Sequence, residues 1–296
     1  MELNFFRYKN IFIILSSVLF ITSIISIIFK GFNFGVDFKG GTVIEIKTEK
    51  VVKIENIRIS LNKNQFENYS VKEFGSNDNF VIYLDIKENK PTIAQDLKNN
   101  LEKDLKEKIT IRRVENVGPK VGDELIKAGF LSLILCILAI YAYLWLRFEW
   151  QFSLGGIIAL IHDITITAGV FSLFGLQFDI SIVAALLTIL GYSINDTVII
   201  YDRIRENLKR DSKSDLQILI NESLNNTLSR TIKTSLTTLL TILAILFFGG
   251  EVLRGFAFAV SFGIIIGTYS SIYIASPILI YFKIKRDWTK KIDTTP

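Results

Sequence analysis

AALLTILGYSINDTVIIYDRIREN, residues Ala184 to Asn207, opens as an apolar run suited to hydrocarbon and closes in alternating charges. Within the apolar part lie Asn195 and Asp196, and the next charged residue is Asp202. A carboxylate near the middle of a membrane helix costs about 2.5–3.5 kcal/mol to insert, so it normally faces a bundle interior, a partner or a water-filled path. An interhelical hydrogen bond that only holds helices together would use the same residue. At ~1.5 Å per residue, Asp196 sits roughly 9 Å along the axis from Asp202 and the charged end. Asp196 and Arg203 are seven apart and share a helical stripe. A pathway opening at the charged end would have both on its wall.

Working outward, the chain has 296 residues, half of them hydrophobic, with a mean hydropathy of +0.39. Six apolar runs near membrane length can be drawn, which predicts a polytopic helical membrane protein. The net charge of +5 is read by location. Basic residues crowd the short segments at one membrane face, which argues topology and not nucleic-acid binding. The single cysteine, Cys136, falls inside a span, so the polar part of the chain has no disulfide framework or cysteine metal site. One histidine, His162, excludes a multi-histidine metal centre. Most enzyme classes lose their usual groups.

The N-terminus, residues 1–10, carries Arg7 and Lys9 before the first span, 11–29. That run ends in Lys30-Gly31 without a small-residue cleavage site, so an uncleaved span is expected rather than a signal peptide. Residues 30–125 differ in kind, being charged, polar and punctuated by turn residues. Gly41–Thr48 alternates as a strand does. From Val51 to Phe66 the apolar residues Val51, Ile54, Ile57 and Leu61 recur at helical spacing. Strand-like runs follow near Ser70–Phe74 and Phe80–Ile86, around the turn residues GSNDN. Pro91 then opens a helix with Ile93, Leu97, Leu101 and Leu105 on one face. A strand at about Ile109–Val117 closes the series. The order β-α-β-β-α-β predicts a small ferredoxin-like α+β domain, read as a docking or substrate-contacting module because no catalytic constellation lies in it.

Residues 126–282 supply the remaining spans, at about Gly129–Leu146, Phe152–Phe174, Ile180–Tyr201, Thr231–Phe248 and Phe256–Phe282. Their links are RFEWQ, GLQFD, the charged stretch 202–230 and GGEVLRG. Lysines and arginines concentrate in the long link (Arg203, Arg205, Lys209, Arg210, Lys213) and in the tail 283–296 (Lys283, Lys285, Arg286, Lys290, Lys291). The positive-inside rule therefore predicts both termini and the 202–230 loop in the cytoplasm, with 30–125 outside.

Four ionisable side chains in or at the spans need an account: Asp196, His162, Asp163 and Arg230. Arg230 can approach Asp196 if the fifth span packs beside the fourth, or it can snorkel as an end charge. His162 and Asp163 are either an internal hydrogen bond or a proton-accepting pair. Consecutive helical residues diverge by about 100°, so at most one of the two looks straight at the fourth span. Gly155-Gly156, Ala184-Ala185, Gly191 and the pair Gly263/Gly267 mark candidate helix contacts, a weak signal that ordinary packing also explains. Pro277 is expected to kink the sixth span.

Five stretches occur in order. They are FNFGVDFKGGT (Phe32–Thr42), VENVGPKVGDEL (Val114–Leu125), RFEWQFSLGGIIALIHD (Arg147–Asp163), LGYSINDTVIIYDRIREN (Leu190–Asn207) and LSRTIKTSLTT (Leu228–Thr238). Together they resemble the SecF family of protein-export subunits, within the resistance-nodulation-division-like group, over nearly the whole chain. Gly35, Asp37, Phe38, Gly40 and Gly41 are the residues of its first motif. The resemblance implies a bacterial inner-membrane subunit that works with a separate SecD chain, the SecYEG channel and YajC on unfolded polypeptide. It implies action after the SecA-driven stage, with the proton gradient as energy source, no cofactor, membrane lipid as a further partner and no nucleic acid. It further implies proton coupling at Asp196 and Arg230; Asn195 and Asp202 are coupling candidates beside them, and His162 and Asp163 are weaker ones read from their own position in the third span. Three rivals stand beside this: a small-molecule or lipid exporter of the same group, a membrane-embedded protease, and a scaffold in which Asp196 only binds a partner.

Overall fold

The computed structural model describes residues 3–66, 69–74, 76–84, 92–117, 119–211, 214–282 and 284. The expectations resting on Gly75, Ile86, Pro91, Lys213, Lys283 and the charges after residue 284 lie outside the described residues. Among those described, six helices are long and apolar enough to cross a membrane. The protein is a membrane protein of mostly helical build.

A short 3-10 turn, Phe5–Tyr8, leads into α1 (Lys9–Lys30). The next segment is structured. β1 (Asn33–Phe34) pairs in parallel with β6 (Gln177–Phe178), and α2 spans Val36–Lys39. Gly40 and Gly41 then turn the chain with φ of +77° and +139°. Both values are open to glycine and costly for residues with a Cβ. The paired glycines thus let α2 run straight into β2.

β2 (Gly41–Thr48), α3 (Ile54–Lys63), β3 (Tyr69–Phe74), β4 (Ser76–Leu84), α4 (Ile93–Leu105) and β5 (Ile109–Val117) follow. The four strands form one sheet in the order β3-β4-β2-β5, and every neighbouring pair is antiparallel. Residues 76–79, expected in a turn, extend β4 instead, where Asn79 pairs with Lys47 of β2. Ile44, Ile46, Phe80 and Ile82 point to one face, and Ile57 and Leu61 of α3 with Leu97 and Leu101 of α4 cover them. All eight are fully buried, the outcome that alternation in the strands and three-to-four spacing in the helices requires. Asp104 of α4 ties the two helices together. It accepts from Ser60 Oγ at 2.7 Å and Asn64 Nδ2 at 2.8 Å, and pairs with Lys63 Nζ at 2.6 Å.

The membrane helices are α5 (Pro119–Arg147), α6 (Trp150–Phe174), α7 (Ile180–Arg210), α8 (Leu216–Phe248) and α9 (Gly250–Ser270), then a π turn, Ser271–Ala275, and α10 (Ser276–Tyr281). The stretch 202–230, read as a loop, is instead helical over 202–210 and 216–230. α7 continues to Arg210, and α8 begins at Leu216 with Asp215 capping its first amides. Packing explains the extension: Ile204, Leu208, Leu216, Leu219, Ile220 and Leu224 share a buried cluster, and Asn207 Nδ2 donates to Ser223 Oγ at 2.8 Å.

Helices α6, α7 and α9–α10 form the centre, each with half or more of its apolar stretch buried, whereas no residue in the most apolar stretch of α5 is fully buried. α7 and α9 meet closely at the G-x-x-x-G pair. A Cβ on Gly263 would fall 2.3 Å from Ile189, and one on Gly267 2.9 Å from Ser193. The expected disturbance at Pro277 is taken up by the π turn before it. Ser276 Oγ donates to the carbonyl of Ser271 at 2.8 Å and Tyr201 Oη to that of Ala275 at 3.1 Å.

Candidate functional site

The sequence Asn-Asp-Thr at 195–197 is helical because β-branched and long apolar residues around it bury one face of α7. The 3.6-residue period then separates its polar members. Asn195 is exposed, while Asp196 and Thr197 are buried. Asp196 Oδ2 accepts from Ser235 Oγ of α8 at 3.2 Å and Thr268 Oγ1 of α9 at 3.5 Å, and those two hydroxyls lie 2.7 Å apart. Its other oxygen, Oδ1, is buried with no hydrogen-bond partner among the described residues. Unpaired oxygens at such a site are costly to bury as charge.

Arg230 lies on the same helix as Ser235. It is exposed and close enough to act on Asp196 electrostatically, yet the two form no ion pair. Thr234 stands nearby, its hydroxyl bonded to the carbonyls of Arg230 and Thr231. Asp202 belongs elsewhere: it pairs with Arg147 of α5 at 2.9 Å. Arg203 pairs with Glu206 at 2.8 Å, so the stripe shared with Asp196 ends in a local ion pair.

His162 and Asp163 are brought together. His162 Nδ1 lies 2.9 Å from Asp163 Oδ1, while Asp163 Oδ2 accepts from Ser193 Oγ of α7 at 2.6 Å and Ser270 Oγ of α9 at 2.8 Å. Asp163 is the member that faces α7. The imidazole turns toward α1, near parallel to Phe20, with Tyr269 on the sixth span beside it. Thr197 Oγ1 and Ser271 Oγ meet at 2.8 Å, joining α7 to the π turn. The hydroxyls at 193, 235, 268, 270 and 271 were not singled out in the sequence. The runs RTIKTSLTT and TYSS, rich in hydroxyls within apolar helices, were the available signal.

The motif 35–41 anchors the opposite end of α7. Gly35 N donates to the carbonyl of Phe178 at 2.8 Å, Asp37 Oδ2 accepts from Ile180 N at 3.2 Å, and Phe38 is buried against Phe34 and Phe178. Lys72 of β3 donates to Gln177 Oε1 at 2.5 Å. Beside that contact a cavity of about 1280 Å³ separates the open sheet face (Val43, Val81, Tyr83) from Phe174, Leu176 and Phe258.

Residues 97–285 match the family model for the C-terminal part of the SecD/SecF protein-export membrane proteins, and residues 25–50 match the SecD/SecF GG motif. The chain is 42% identical to the protein translocase subunit SecF of Rickettsia rickettsii, over 98% of this chain and 95% of that one. The chain belongs to the SecF family. The SecF of Cereibacter sphaeroides is 41% identical, over 98% of this chain and 92% of its own length. Among solved structures the chain is similar to SecDF, a translocon-associated membrane protein from Thermus thermophilus, at a TM-score of 0.84 and 38% identity. The alignment covers 96% of this chain and 39% of that one, so this SecF-family chain spans well under half the SecDF polypeptide. SecDF in a super-membrane-facing form aligns over the same shares with a TM-score of 0.73.

Proposed function

We propose that the chain acts as the SecF subunit of a SecDF-type translocase, paired with a separate SecD chain, and assists protein export across the bacterial inner membrane. The names of its relatives and the 39% share of the SecDF polypeptide that it spans support this reading. Both termini lie in the cytoplasm, and the sheet domain lies outside as a ferredoxin-like module. The strand order β3-β4-β2-β5 with all neighbours antiparallel supports the fold assignment. SecYEG and YajC are the further partners, unfolded polypeptide is the cargo, and the chain carries no catalytic activity or cofactor of its own.

The proton gradient is the energy source, and Asp196 is its coupling group. The observation that carries this is a carboxylate at the junction of three helices, with one oxygen unpartnered and a guanidinium within electrostatic reach. Protonation removes the charge that Ser235, Thr268 and Arg230 solvate, and α7, α8 and α9 repack. The electrical part of one proton's passage is worth ~2.3 kcal/mol per 100 mV. A swing from 1:99 to 99:1 needs about 5.5 kcal/mol, so several protons or cargo binding contribute to each cycle.

The test is export of a preprotein by vesicles carrying the chain with its SecD, with and without a proton gradient. Asp196→Asn and Arg230→Met are expected to lose the gradient-dependent part while the complex still assembles. Full gradient dependence in Asp196→Asn would overturn the coupling role, and failure to assemble would favour a scaffold.

A further inference from the structure

Beyond Asp196 the bundle buries a second acidic group that the coupling scheme leaves unused. Asp163 is fully buried and His162 nearly so. The carboxylate is fully engaged: His162 meets one oxygen, and Ser193 and Ser270 meet the other. The imidazole is half engaged. Nε2 is buried with no hydrogen-bond partner among the described residues, and Phe20 and Tyr269 flank the ring. No basic side chain other than His162 touches Asp163 among the described residues.

Proton accounting follows from these contacts. With one proton, on Nδ1, the pair carries a net charge of −1. A second proton, taken by the free lone pair of Nε2, makes it neutral without breaking any of the three hydrogen bonds. Burial in hydrocarbon favours the neutral state, while serine donors on the carboxylate hold the charged one in reach. We propose that His162 and Asp163 form a second proton-binding site, loading and releasing one proton at Nε2, whose occupancy depends on the charge of Asp196.

The two sites share their scaffold. Ser193, which holds Asp163, lies one helical turn from Asp196 on α7; Ser270, which also holds Asp163, lies two residues from Thr268 on α9. From α1 the site meets Phe20, and Ser16 through Tyr269. From the sixth span it meets Ser270, Tyr269 and, beside the latter, Tyr273. From α7 it meets Ser193 and then Asp196, which Arg230 of α8 faces. α5 carries Cys136, Tyr141 and Tyr143 away from its ends, and none hydrogen-bonds the pair. Across roughly 10 Å at an effective dielectric constant of about 20, one charge shifts a proton equilibrium by about tenfold.

This inference rests on Asp196 being a titrating group, and it has its own readout. His162 is the one histidine of the chain, so histidine-selective 15N labelling of the full chain in lipid bilayers gives a single ring to follow. Ring nitrogen shifts separate singly from doubly protonated imidazole. The expected result is a ring that passes from singly to doubly protonated as the pH is lowered. At the pH where half the wild-type rings are doubly protonated, about one in ten should be so in Asp196→Asn, with Asp196→Ser as the second variant. A ring singly protonated throughout would overturn the site, and a titration identical in both variants would overturn the coupling. A silent ring alongside lost gradient-driven export in Asp196→Asn sinks this inference and spares the role of Asp196. A titrating ring alongside retained gradient dependence in that variant does the reverse.

Discussion

The carboxylate of Asp37, just after the first span, accepts the backbone N–H of Ile180, the first residue of α7, at 3.2 Å. Asp179 accepts from the next two amides, Ser181 and Ile182, at 3.0 and 3.3 Å. One carboxylate from the helix's own cap and one from a distant motif thus satisfy the start of the helix that carries Asp196. Unmatched amides at a helix start are otherwise left to water, and anions there also gain from the helix dipole. The contact joins the start of α7 to α2, which leads through Gly40 into β2.

Asp37→Ala should therefore loosen the first turn of α7 by about 1 kcal/mol, the usual worth of a cap. Hydrogen exchange at Ile180 should rise several-fold, with the exchange of β2 rising beside it. Unchanged protection at Ile180 would show that Asp179 alone holds the turn.

Ser235→Ala combined with Thr268→Val removes both donors from Asp196 Oδ2. A hydrogen bond to a charged group contributes about 1.5–3 kcal/mol, so gradient-driven export should fall at least tenfold while assembly with SecD persists. Gradient-independent export, measured in the same vesicles, should stay at the wild-type level.

The glycines offer a paired test. Gly263→Ala brings a methyl group to 2.3 Å from Ile189 between two central helices, whereas a Cβ on Gly191 meets open space. Overpacking of this kind costs about 1–3 kcal/mol, so thermal unfolding in detergent should drop by several degrees for Gly263→Ala. Gly191→Ala should leave it unchanged. Equal behaviour of the two would mean that α7 and α9 stand further apart.

Lys63 first, then Ser60 and Asn64, hold the Asp104 carboxyl down at about 2. Its ordinary value is about 3.9. A group whose folded value is depressed contributes stability above its unfolded value and loses it as pH falls through the folded one. Protection of the α3 and α4 amides in the full chain should thus weaken between about pH 4 and 2 in wild type. In Asp104→Asn that segment of the pH profile should be flat, and an identical fall in both would assign acid sensitivity to other carboxylates.

Much was legible in the residues alone. Apolar run length gave six spans, because hydrocarbon leaves a helix no partner but itself for its backbone. Alternation and helical spacing gave the order of elements between 41 and 117, since strand and helix periods differ. Asp196 stood out because a lone carboxylate in an apolar run is costly, and the structure indeed buries it. Other features were not legible. The charged stretch 202–230 looked like a loop, but tertiary packing of its leucines and isoleucines makes 202–210 and 216–230 helix. The strand 33–34 was invisible at two residues, and its partner lies at 177–178.

What the sequence by itself determined is the local state of the long periodic segments and the family, because period, length and polarity act over neighbouring residues. What only the tertiary structure decided is who meets whom at depth. Arg230 shares a helix with Ser235, yet the contact with Asp196 is made by Ser235 and by Thr268 of α9. Asp163 and His162, adjacent in the chain, face different helices while bonded to one another. Those choices depend on how the helices rotate and approach, which is set by packing at residues such as Gly263 and Gly267 far along the chain.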